Sequence, residues 1–348
     1  MTKIRVFDFF SGCGGTSQGF KQAGFDVAFG LDFDQDSACS FKLNFPDAHF
    51  INADIRTIAD DAIENLYYSN DNSMSIFSGC APCQPYSRQN LNKKADDPRL
   101  DLLKEFGRFV KYYLPDFVFV ENVPGMQKFN ENEGTFKAFI NMLSVHGYNT
   151  DFKVLPAAWF GVPQTRERLV LLAAKNHKVT LPVQSHGLED SPYSTVRDWI
   201  GSLPPIAAGE SHKVISDHVS ARLSDLNLQR IKATIEGGGR ESWPDHLILN
   251  CHRKHKGHSD VYGRLYWDRL ASGLTTRCIS YSNGKFGHPD QNRAISVREA
   301  ACLQTFPLDY KFWGSLNSKA KQIGNAVPPK MAEAIGQQIF NITGQHLE

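Results

Sequence analysis

Five short apolar runs in the first 120 residues of the chain are each followed by a polar or thiol side chain. The residues at or just past the ends of these runs are Asp8, Asp32, Asp54, Cys83 and Glu121. Each run has the length of a buried β-strand. In an open α/β sheet, ligands bind at the edge where the carboxyl ends of parallel strands meet. The pattern predicts an α/β protein with a site at that edge, since a solvated loop explains any one of these residues but not all five.

The first run leads into a glycine-rich turn over residues 11–15 and then into a helical segment over residues 16–23. Asp32 ends the second run, 20 residues after Gly12. This arrangement suits a nucleotide-type site, where the turn binds at a helix N-terminus and the carboxylate reaches a ribose hydroxyl. An ordinary strand-to-helix connection has the same local pattern, so the other strand ends are needed to support the interpretation.

A cysteine and proline cluster follows the fourth run. Pro82 and Pro85 lie on either side of Cys83, and prolines fix the backbone and keep it extended. The cluster therefore displays a thiol in the way that a nucleophile needs. Cys80 and Cys83 also have the C-x-x-C spacing, so a redox dithiol and half of a zinc site remain alternatives.

Several other segments have two interpretations each. The polar segment 88–99 is either a lid that closes on substrate or an exposed loop. Arg166 and Arg168, two positions apart before an apolar strand, share one face and either bind a ligand or form surface ion pairs.

Residues 59–67 and 102–113 are predicted to be helices that cover the sheet.

Composition limits the class of protein. A chain of 348 residues exceeds the about 250–300 at which single cores stop growing, so two lobes are expected. Seven cysteines, scattered and odd in number, indicate reduced thiols. No apolar run approaches the roughly 20 residues that span a bilayer, and no signal-peptide pattern is present. We expect a cytoplasmic protein with no membrane partner.

The second lobe is expected where periodicity is lost, from residue 175 to about 260, among prolines and a triple glycine at 237–239. The net charge of the whole chain is only +1. Between Cys251 and Arg277, however, six basic residues accompany two acidic ones. The cysteine and histidines at 251–258 resemble a metal cluster, but the intervening basic residues would repel a cation. A strip that faces phosphate is favoured.

Near the C-terminus, Ser296 and Glu299 have the spacing of a capping box and predict the start of a helix. A last amphipathic helix is predicted over residues 330–340.

Six blocks of sequence, taken in order, resemble the motifs of the DNA (cytosine-5) methyltransferases, most closely those of bacterial restriction-modification systems. The blocks are residues 8–15, 81–84, 121–123, 164–168, 298–307 and 322–327. They cover nearly the whole chain except about 176–260, which corresponds to the family's variable target-recognition region. Two departures are minor: Cys80 is a second thiol that many relatives lack, and Ala326 occupies a position where serine is also common.

The resemblance implies a Rossmann-like sheet that binds S-adenosylmethionine, together with a smaller, irregular target-recognition domain. The expected bounds are 1–175 for the catalytic domain, 176–260 for target recognition with a far limit as late as about 290, and 291–348 for a segment that returns to the catalytic domain.

The resemblance also implies S-adenosylmethionine as cofactor, S-adenosylhomocysteine as product and no metal. Phe10 would pack on the cofactor, Asp32 would hold its ribose, Phe33 would face the adenine and Asp54 would bind the adenine amino group. The remaining residues that the family pattern assigns to the pocket are Cys13, Gly14, Gly15, Ile55, Pro82, Leu102 and Asn325.

In the implied reaction, the Cys83 thiolate adds to C6 of a flipped-out cytosine and makes C5 nucleophilic. Glu121, if desolvation keeps it protonated, would donate to N3. Arg168 would hold the ring carbonyl, Arg166 would support the loop and the thiolate, and Cys80 would be a packing residue.

Double-stranded DNA is the implied partner, with a cognate restriction endonuclease as a functional rather than physical partner, and the enzyme is expected to be a bacterial monomer. The residues assigned to DNA contact are Ser87, Arg253, Lys254, Lys256, Arg264 and Arg277.

Two rival functions remain. A transfer-RNA methyltransferase of the same architecture is disfavoured because the Cys-Phe-Thr signature of that branch is absent from the sequence. A catalytically silent DNA-binding regulator is disfavoured because Cys83, Glu121 and Arg168 are all present.

Overall fold

The structure is a computed structural model that describes residues 3–69, 72–81, 101–126, 134–250, 253 and 260–344. Contacts divide the chain into two compact units. The first comprises residues 1–157, 167–184 and 327–348, and the second comprises residues 158–166 and 185–326. The predicted domain bounds stay a prediction.

The first unit is built on a sheet that contains seven strands in the part of the chain described. Its strands are β1 (Ile4–Phe9), β2 (Asp26–Asp32), β3 (His49–Asn52), β4 (Met74–Gly79), β5 (Phe117–Asn122), β6 (Asn149–Pro156) and β8 (Glu167–Ala174). Their spatial order is β3-β2-β1-β4-β5-β8-β6. The pairs from β3 through β5 are parallel, whereas β8 is antiparallel to both β5 and β6. This is the α/β sheet that the apolar runs predict.

Helices cover this sheet. They are α1 (Gly15–Gln22), α2 (Gln35–Asn44), α3 (Glu64–Tyr67), α4 (Leu102–Tyr113), α5 (Thr135–Val145) and, near the C-terminus, α10 (Pro329–Thr343). Strands β1 and β5 are buried along their whole length, which explains why they read as continuous apolar runs rather than alternating ones. On one side, Phe9 packs its ring 5.1 Å from that of Phe77 and 5.0 Å from that of Phe109 on α4.

Most predicted elements of this unit are confirmed, and the prediction of α4 is confirmed to the residue. The predicted helix over residues 59–67 is wrong in its first half, because only Glu64–Tyr67 is α-helical and turns precede it. The last helix runs three residues further than predicted, to Thr343.

The second unit has short elements, as the loss of periodicity predicts. They are β7 (Gln164–Thr165), α6 (Val196–Ile200), α7 (Asp225–Lys232), β9 (Ala271–Ser272), α8 (Val297–Leu303) and α9 (Leu316–Asn325). One cluster of its core surrounds Trp243, whose indole N–H donates to Thr234 Oγ1 at 2.8 Å. The capping box is confirmed, since Ser296 Oγ accepts from the Glu299 N–H and the Glu299 carboxylate accepts from the Ser296 N–H.

No helix in the described ranges is long and apolar enough to cross a membrane.

Helices α1 and α10 pack against each other through small residues. A Cβ atom on Gly19 of α1 would lie 2.2 Å from the Pro329 carbonyl oxygen and 2.6 Å from the Ala332 Cβ. A Cβ atom on Gly336 of α10 would lie 2.5 Å from the Ala23 Cβ. The two helices are therefore packed so closely that neither position has room for a larger residue.

We predict that Gly19→Ala lowers the free energy of unfolding by about 1–3 kcal/mol, because the added methyl group meets backbone atoms that cannot move aside. Gly107→Ala on α4 is the matched control. There the new Cβ would meet only side chains, at 3.4 Å, and alanine favours a helix by about 0.5–1 kcal/mol. Urea unfolding of the two variants measures the difference, and equal stabilities would contradict the account of the α1–α10 contact.

Candidate active site

The turn after β1 departs from ordinary backbone geometry. Phe10 has φ of 61°, Gly12 has 53° and Gly14 has 94°, all in the left-handed region. Glycine adopts this region without steric cost, but a phenylalanine there is strained, and such strain is concentrated at functional sites. Glycines therefore occupy two of the positions in residues 11–15 where the backbone has positive φ. Phe10, at the end of β1, adopts the same left-handed conformation at an energetic cost.

Asp32 ties two turns together at the edge of the sheet. Its Oδ2 accepts from the Gly12 N–H and its Oδ1 from the Asp34 N–H, both at 2.8 Å. Parallel pairing of β1 with β2 brings the two turns side by side. The spacing of 20 residues between Gly12 and Asp32 thus corresponds to a direct contact, which the sequence pattern did not specify.

The N-terminus of α1 is suited to bind an anion. Its N-cap is Gly14, which has no side chain that could cap the helix. A Cβ atom on Gly12 would meet no atom of the described residues within 4 Å. The N–H groups of a helix's first turn and the positive end of the helix dipole favour a carboxylate or phosphate. The carboxylate end of S-adenosylmethionine fits this site.

Other predicted cofactor residues lie beside this turn or at the end of the neighbouring strand β3. Phe33 follows Asp32 and is 66% exposed, so its ring can stack on a ligand. Asp54 caps the short 3-10 helix Ile55–Thr57, and hydrogen bonds from Arg56 hold the pKa of the Asp54 carboxyl below its usual value. Ile55 is buried. These positions are compatible with adenosine binding, and their roles stay predictions.

Two thiols near the turn are enclosed. Burial raises the pKa of the Cys13 thiol well above its usual value, so only the backbone of this residue is suited to bind a ligand. Cys80 is partly exposed as a residue, but its sulfur lies 3.6 Å from Thr16 Oγ1 and 3.8 Å from Ser78 Oγ. Burial raises its pKa too. An enclosed neutral thiol is a poor nucleophile, which supports the prediction that Cys80 is a packing residue.

Beneath the turn lies a buried carboxyl group that the sequence did not reveal as unusual. Asp8 on β1 is fully buried, and Ser17 Oγ of α1 donates to its Oδ2 at 2.6 Å. Its Oδ1 has no hydrogen-bond partner among the described residues. Burial raises the pKa of Asp8 to about 7, and the nearby charge of Asp32 adds to this effect. Asp8 therefore carries a proton over much of the pH range in which other carboxyls are ionised.

The predicted nucleophile Cys83, with Pro82 and Ser87, lies outside the described residues. The chain leading to it is anchored, because Asn122 Nδ2 donates to the carbonyl of Ala81 at 3.0 Å. Ala81 is two residues before Cys83, and Asn122 ends β5 directly after Glu121. The amide of Asn122 is thus a positioning group that sequence reasoning did not assign, although it belongs to the motif at 121–123.

Glu121 and Arg168 form an ion pair on neighbouring strands, with Nε 2.7 Å from Oε1. Glu121 is only 8% exposed. Arg168 also donates through Nη1 to the Glu167 carbonyl at 2.8 Å. The structure therefore brings together two of the four predicted catalytic residues. It shows Glu121 paired with a cation, whereas the sequence prediction relied on desolvation to keep it protonated.

Arg166 has partners quite different from those of Arg168. Its guanidinium is buried in the second unit and donates to the carbonyls of Leu274, Gly324 and Ala326 at 3.0, 3.1 and 3.3 Å. The last two flank Asn325, the final residue of α9. The expectation that the two arginines act as a pair on one face is wrong, because each binds a separate set of partners.

Two glutamines extend this support of the Asn325 backbone. Gln164 Nε2 donates to Gln304 Oε1 at 2.7 Å, and Gln304 Nε2 donates to the Ala326 carbonyl at 2.5 Å. Both residues lie within the motif blocks of the sequence, but nothing in their local pattern indicated that they meet.

The residues predicted to contact DNA differ in their exposure to solvent. Arg253 and Arg277 are exposed, while Lys254 and Lys256 lie outside the described residues. Assigning Arg264 to DNA contact is a prediction that the structure corrects. This guanidinium is buried and donates to the carbonyls of Ile231, Thr234, His288 and Gln291, so it braces the second unit and has no exposed surface for a phosphate.

Among the residues that the structure describes, no group of three or more His, Cys, Asp or Glu side chains could hold a metal ion. The histidines of residues 251–258 lie outside that part of the chain.

Comparison with known proteins gives consistent matches over the whole chain. Residues 4–341 match the family model of the C-5 cytosine-specific DNA methylases. The Type II methylase M.HgiDII of Herpetosiphon aurantiacus is 41% identical over 340 residues, which are 96% of this chain and 94% of that protein. The Type II methyltransferase M1.HphI of Haemophilus parahaemolyticus is 36% identical, with coverage of 97% and 87%.

Two solved structures share the fold. A prophage-encoded E. coli chain, proposed to be a DNA modification methyltransferase, matches with a TM-score of 0.77 at 23% identity, over 99% of this chain and all of that one. The methyltransferase EhMeth of Entamoeba histolytica matches with a TM-score of 0.66 at 17% identity, over 98% of this chain and 99% of that one.

We predict that Asp8 makes the stability of the protein decrease between about pH 4 and pH 7. Its pKa is near 4 in the unfolded chain and about 7 in the folded one. Between these pH values the unfolded chain has released the proton that the folded protein keeps. The free energy of unfolding therefore falls by about 1.4 kcal/mol for each pH unit of increase, or by about 4 kcal/mol in all. Asp8→Asn removes this term, and its stability relative to the wild type should rise over that range.

Urea unfolding of both proteins at pH 4.5, 6 and 8, without cofactor, measures the effect. Asp47→Asn, at an exposed position, is the control for losing one carboxyl group. A stability difference between wild type and Asp8→Asn that is the same at all three pH values would show that Asp8 is ionised in the folded protein.

Proposed function

The chain belongs to the family of C-5 cytosine-specific DNA methylases, and from this premise we propose that it methylates a flipped-out cytosine of duplex DNA through Cys83. The enzyme is a DNA (cytosine-5)-methyltransferase that depends on S-adenosylmethionine. The observation that best supports the residue assignment is the Glu121–Arg168 ion pair beside Asn122, which holds the backbone two residues before Cys83.

Cytosine C5 is too weak a nucleophile to react with a methyl donor by itself. In the proposed reaction, the Cys83 sulfur forms a bond to C6, and the electrons of the C5–C6 double bond make C5 reactive. S-adenosylmethionine supplies the methyl group to C5. A base then removes the C5 proton, the C6–sulfur bond breaks, and the products are 5-methylcytosine, S-adenosylhomocysteine and free Cys83.

Glu121 and Arg168 have separate roles at the ring. Negative charge spreads to N3 and O2 as the sulfur adds to C6. We assign the donation of a proton to N3 to Glu121, which acts there as the neutral carboxylic acid, and the contact with O2 to Arg168, whose planar guanidinium carries several N–H donors. Because the pair is preformed on two hydrogen-bonded strands, little reorganisation is needed when charge develops.

The cofactor would be held mainly by the turns after β1 and β2. The backbone of Cys13, Gly14 and Gly15 would bind its carboxylate end, Asp32 the ribose and Phe33 the adenine face. The remaining proposed contacts are Phe10, Asp54, Ile55, Pro82, Leu102 and Asn325. Arg166 would act indirectly in this scheme, by fixing the backbone on both sides of Asn325. No metal takes part in the proposed reaction.

DNA is the substrate of this family, and the Type II relatives suggest a restriction endonuclease as functional partner. We propose that the enzyme acts as a monomer in the bacterial cytoplasm, where the chromosome lies. A base in a duplex must leave the stack to reach a thiol, at a cost of a few kcal/mol. The second unit would provide contacts that offset this cost; the segment 88–99, predicted from the sequence as a lid or an exposed loop, lies outside the described residues.

The proposal predicts unequal effects of removing the two neighbouring thiols. Cys83→Ala should abolish methylation, whereas Cys80→Ala should change the rate by less than about threefold, because an enclosed packing thiol takes no part in the chemistry. Glu121→Gln should lower the rate by about 10²–10⁴-fold, the usual contribution of a positioned acid. Bisulfite sequencing of DNA from cells that express each variant measures the methylation and also gives the recognised sequence.

Purified enzyme with labelled cofactor provides the substrate control. Duplex DNA should accept label, and transfer RNA should not. Label in transfer RNA alone would favour the rival RNA methyltransferase, and no label in either would favour a silent DNA-binding regulator. Normal methylation by Cys83→Ala would exclude the covalent mechanism.

A further inference from the structure

Two cationic side chains of the second unit lie over one tyrosine ring. The Arg269 Cζ atom is 4.3 Å from the centroid of Tyr266, and the Lys285 Nζ atom is 4.7 Å from it. Each distance is within the range of a cation–π interaction. Since both groups lie close to the same point, their charges are at most about 9 Å apart, close to one Debye length at physiological salt.

These two cations differ from their charged neighbours in having no acidic partner in the described part of the chain. Arg197 forms an ion pair with Asp268 at 2.6 Å, and Arg293 forms one with Glu299, also at 2.6 Å. Arg264 is buried among carbonyl oxygens. For Arg269 and Lys285, the interaction observed among the described residues is with the ring. Two like charges are therefore concentrated at one place, and neither forms an ion pair within 4 Å among the described residues, while the Glu236 carboxylate nearby accepts from the Trp267 N–H at 2.8 Å.

The cluster rests on a rigid backbone. Gly237 has φ of +65°, and a Cβ atom there would lie 1.9 Å from Cε1 of Tyr266, so the glycine lets the ring pack on the main chain. A Cβ atom on Gly263 would likewise lie 2.7 Å from Cγ of Lys285. Hydrogen bonds from Gly237 N to the Leu265 carbonyl and from Arg264 N to the Gly238 carbonyl join the two segments at 3.2 and 3.0 Å.

Buried Arg264 supports the same region from below. Its guanidinium connects segments at 231–234 and 288–292, which lie on either side of residues 264–269 in the sequence. The Tyr266 ring is thus fixed in position, and it restricts two side chains that would otherwise be flexible. Restricting them before a ligand binds lowers the entropic cost of binding.

We propose that Arg269 and Lys285, held by Tyr266, form a phosphate-binding pair that positions the DNA duplex on the second unit. The inference rests on the proposed function. Each DNA strand presents one phosphate per about 3.4 Å of helix axis, so two cations separated by up to about 9 Å can contact nearby phosphates of one backbone. The pair positions the duplex and does not read its sequence, because phosphates are the same at every base.

The double variant Arg269→Gln, Lys285→Gln tests this pair. Affinity for a duplex of about 20 base pairs, measured by fluorescence anisotropy over a series of salt concentrations, gives the number of phosphate contacts. We expect the slope of log K against log salt to fall in magnitude by about 1.8, since each phosphate contact contributes about 0.9. The loss of affinity should be the same for a duplex that contains the recognised sequence and for a duplex of unrelated sequence.

The matched control is Lys153→Gln, Lys213→Gln, which removes the same charge from two exposed lysines elsewhere. It should leave the slope within about 0.5 of the wild-type value, as it removes no phosphate contact. An unchanged slope in the Arg269, Lys285 variant would overturn the proposal. So would a loss of affinity confined to the target sequence, which would indicate base recognition, or equal slopes in variant and control.

Tyr266 provides a second, independent measurement. Tyr266→Phe keeps the aromatic face and should retain the wild-type affinity, whereas Tyr266→Leu removes the face and should weaken binding severalfold. Equal affinities of these two variants, at equal thermal stability, would show that the ring does not position the cations.

The outcomes separate this inference from the proposed function. If the wild type binds DNA but transfers no methyl group, the proposed function is wrong. The slopes of log K against log salt still show whether Arg269 and Lys285 contact phosphates. If the wild type methylates DNA and the slopes of the double variant and wild type agree, the function stands and the phosphate pair is wrong. A wild type that binds no DNA would overturn both.

Discussion

The first unit depends on parallel pairing of β1 with β2 and β4. This pairing brings three strand ends to one edge, and each end carries a different part of the site: the glycine turn, Asp32, and the segment leading to Cys83. The hydrogen bond from the Gly12 N–H to Asp32 closes the edge between the first two strands. The glycine turn, Asp32 and the residues that lead to Cys83 therefore lie at one edge without long connections, because the sheet itself brings the strand ends together.

The buried polar groups reinforce this arrangement at a cost. Asp8 connects β1 to α1 through Ser17 while one of its carboxyl oxygens lacks a partner among the described residues. Asn122 connects β5 to the segment before Cys83, and Arg168 connects β8 to β5 through Glu121. Each of these contacts joins neighbouring elements near the proposed active site. The site is thus held by specific polar contacts on top of an aromatic core that supplies most of the burial.

Local sequence predicted the buried strands and the helix α4 of the first unit, but not the extent of α3. Strands buried on both faces appear as continuous apolar runs, and α4 has a clear helical periodicity, so their positions followed from the sequence. The chemical roles came from the resemblance to a known family. Pairing between distant residues did not follow from local sequence. Arg166 and Arg168 are two positions apart, yet one is buried among carbonyls of the second unit and the other is paired with Glu121. Arg264 has the charge expected of a DNA contact but is used to brace the fold, because burial and partners are decided by tertiary structure.

The proposed reaction depends above all on a covalent bond between Cys83 and the target base. A duplex with 5-fluorocytosine at the target position tests this bond directly. Fluorine replaces the C5 proton whose removal would break the carbon–sulfur bond, so the bond persists after methyl transfer. With S-adenosylmethionine present, mass spectrometry of the digested complex should find the modified base on the peptide that contains Cys83. Absence of a covalent complex, or attachment at Cys80, would contradict the account.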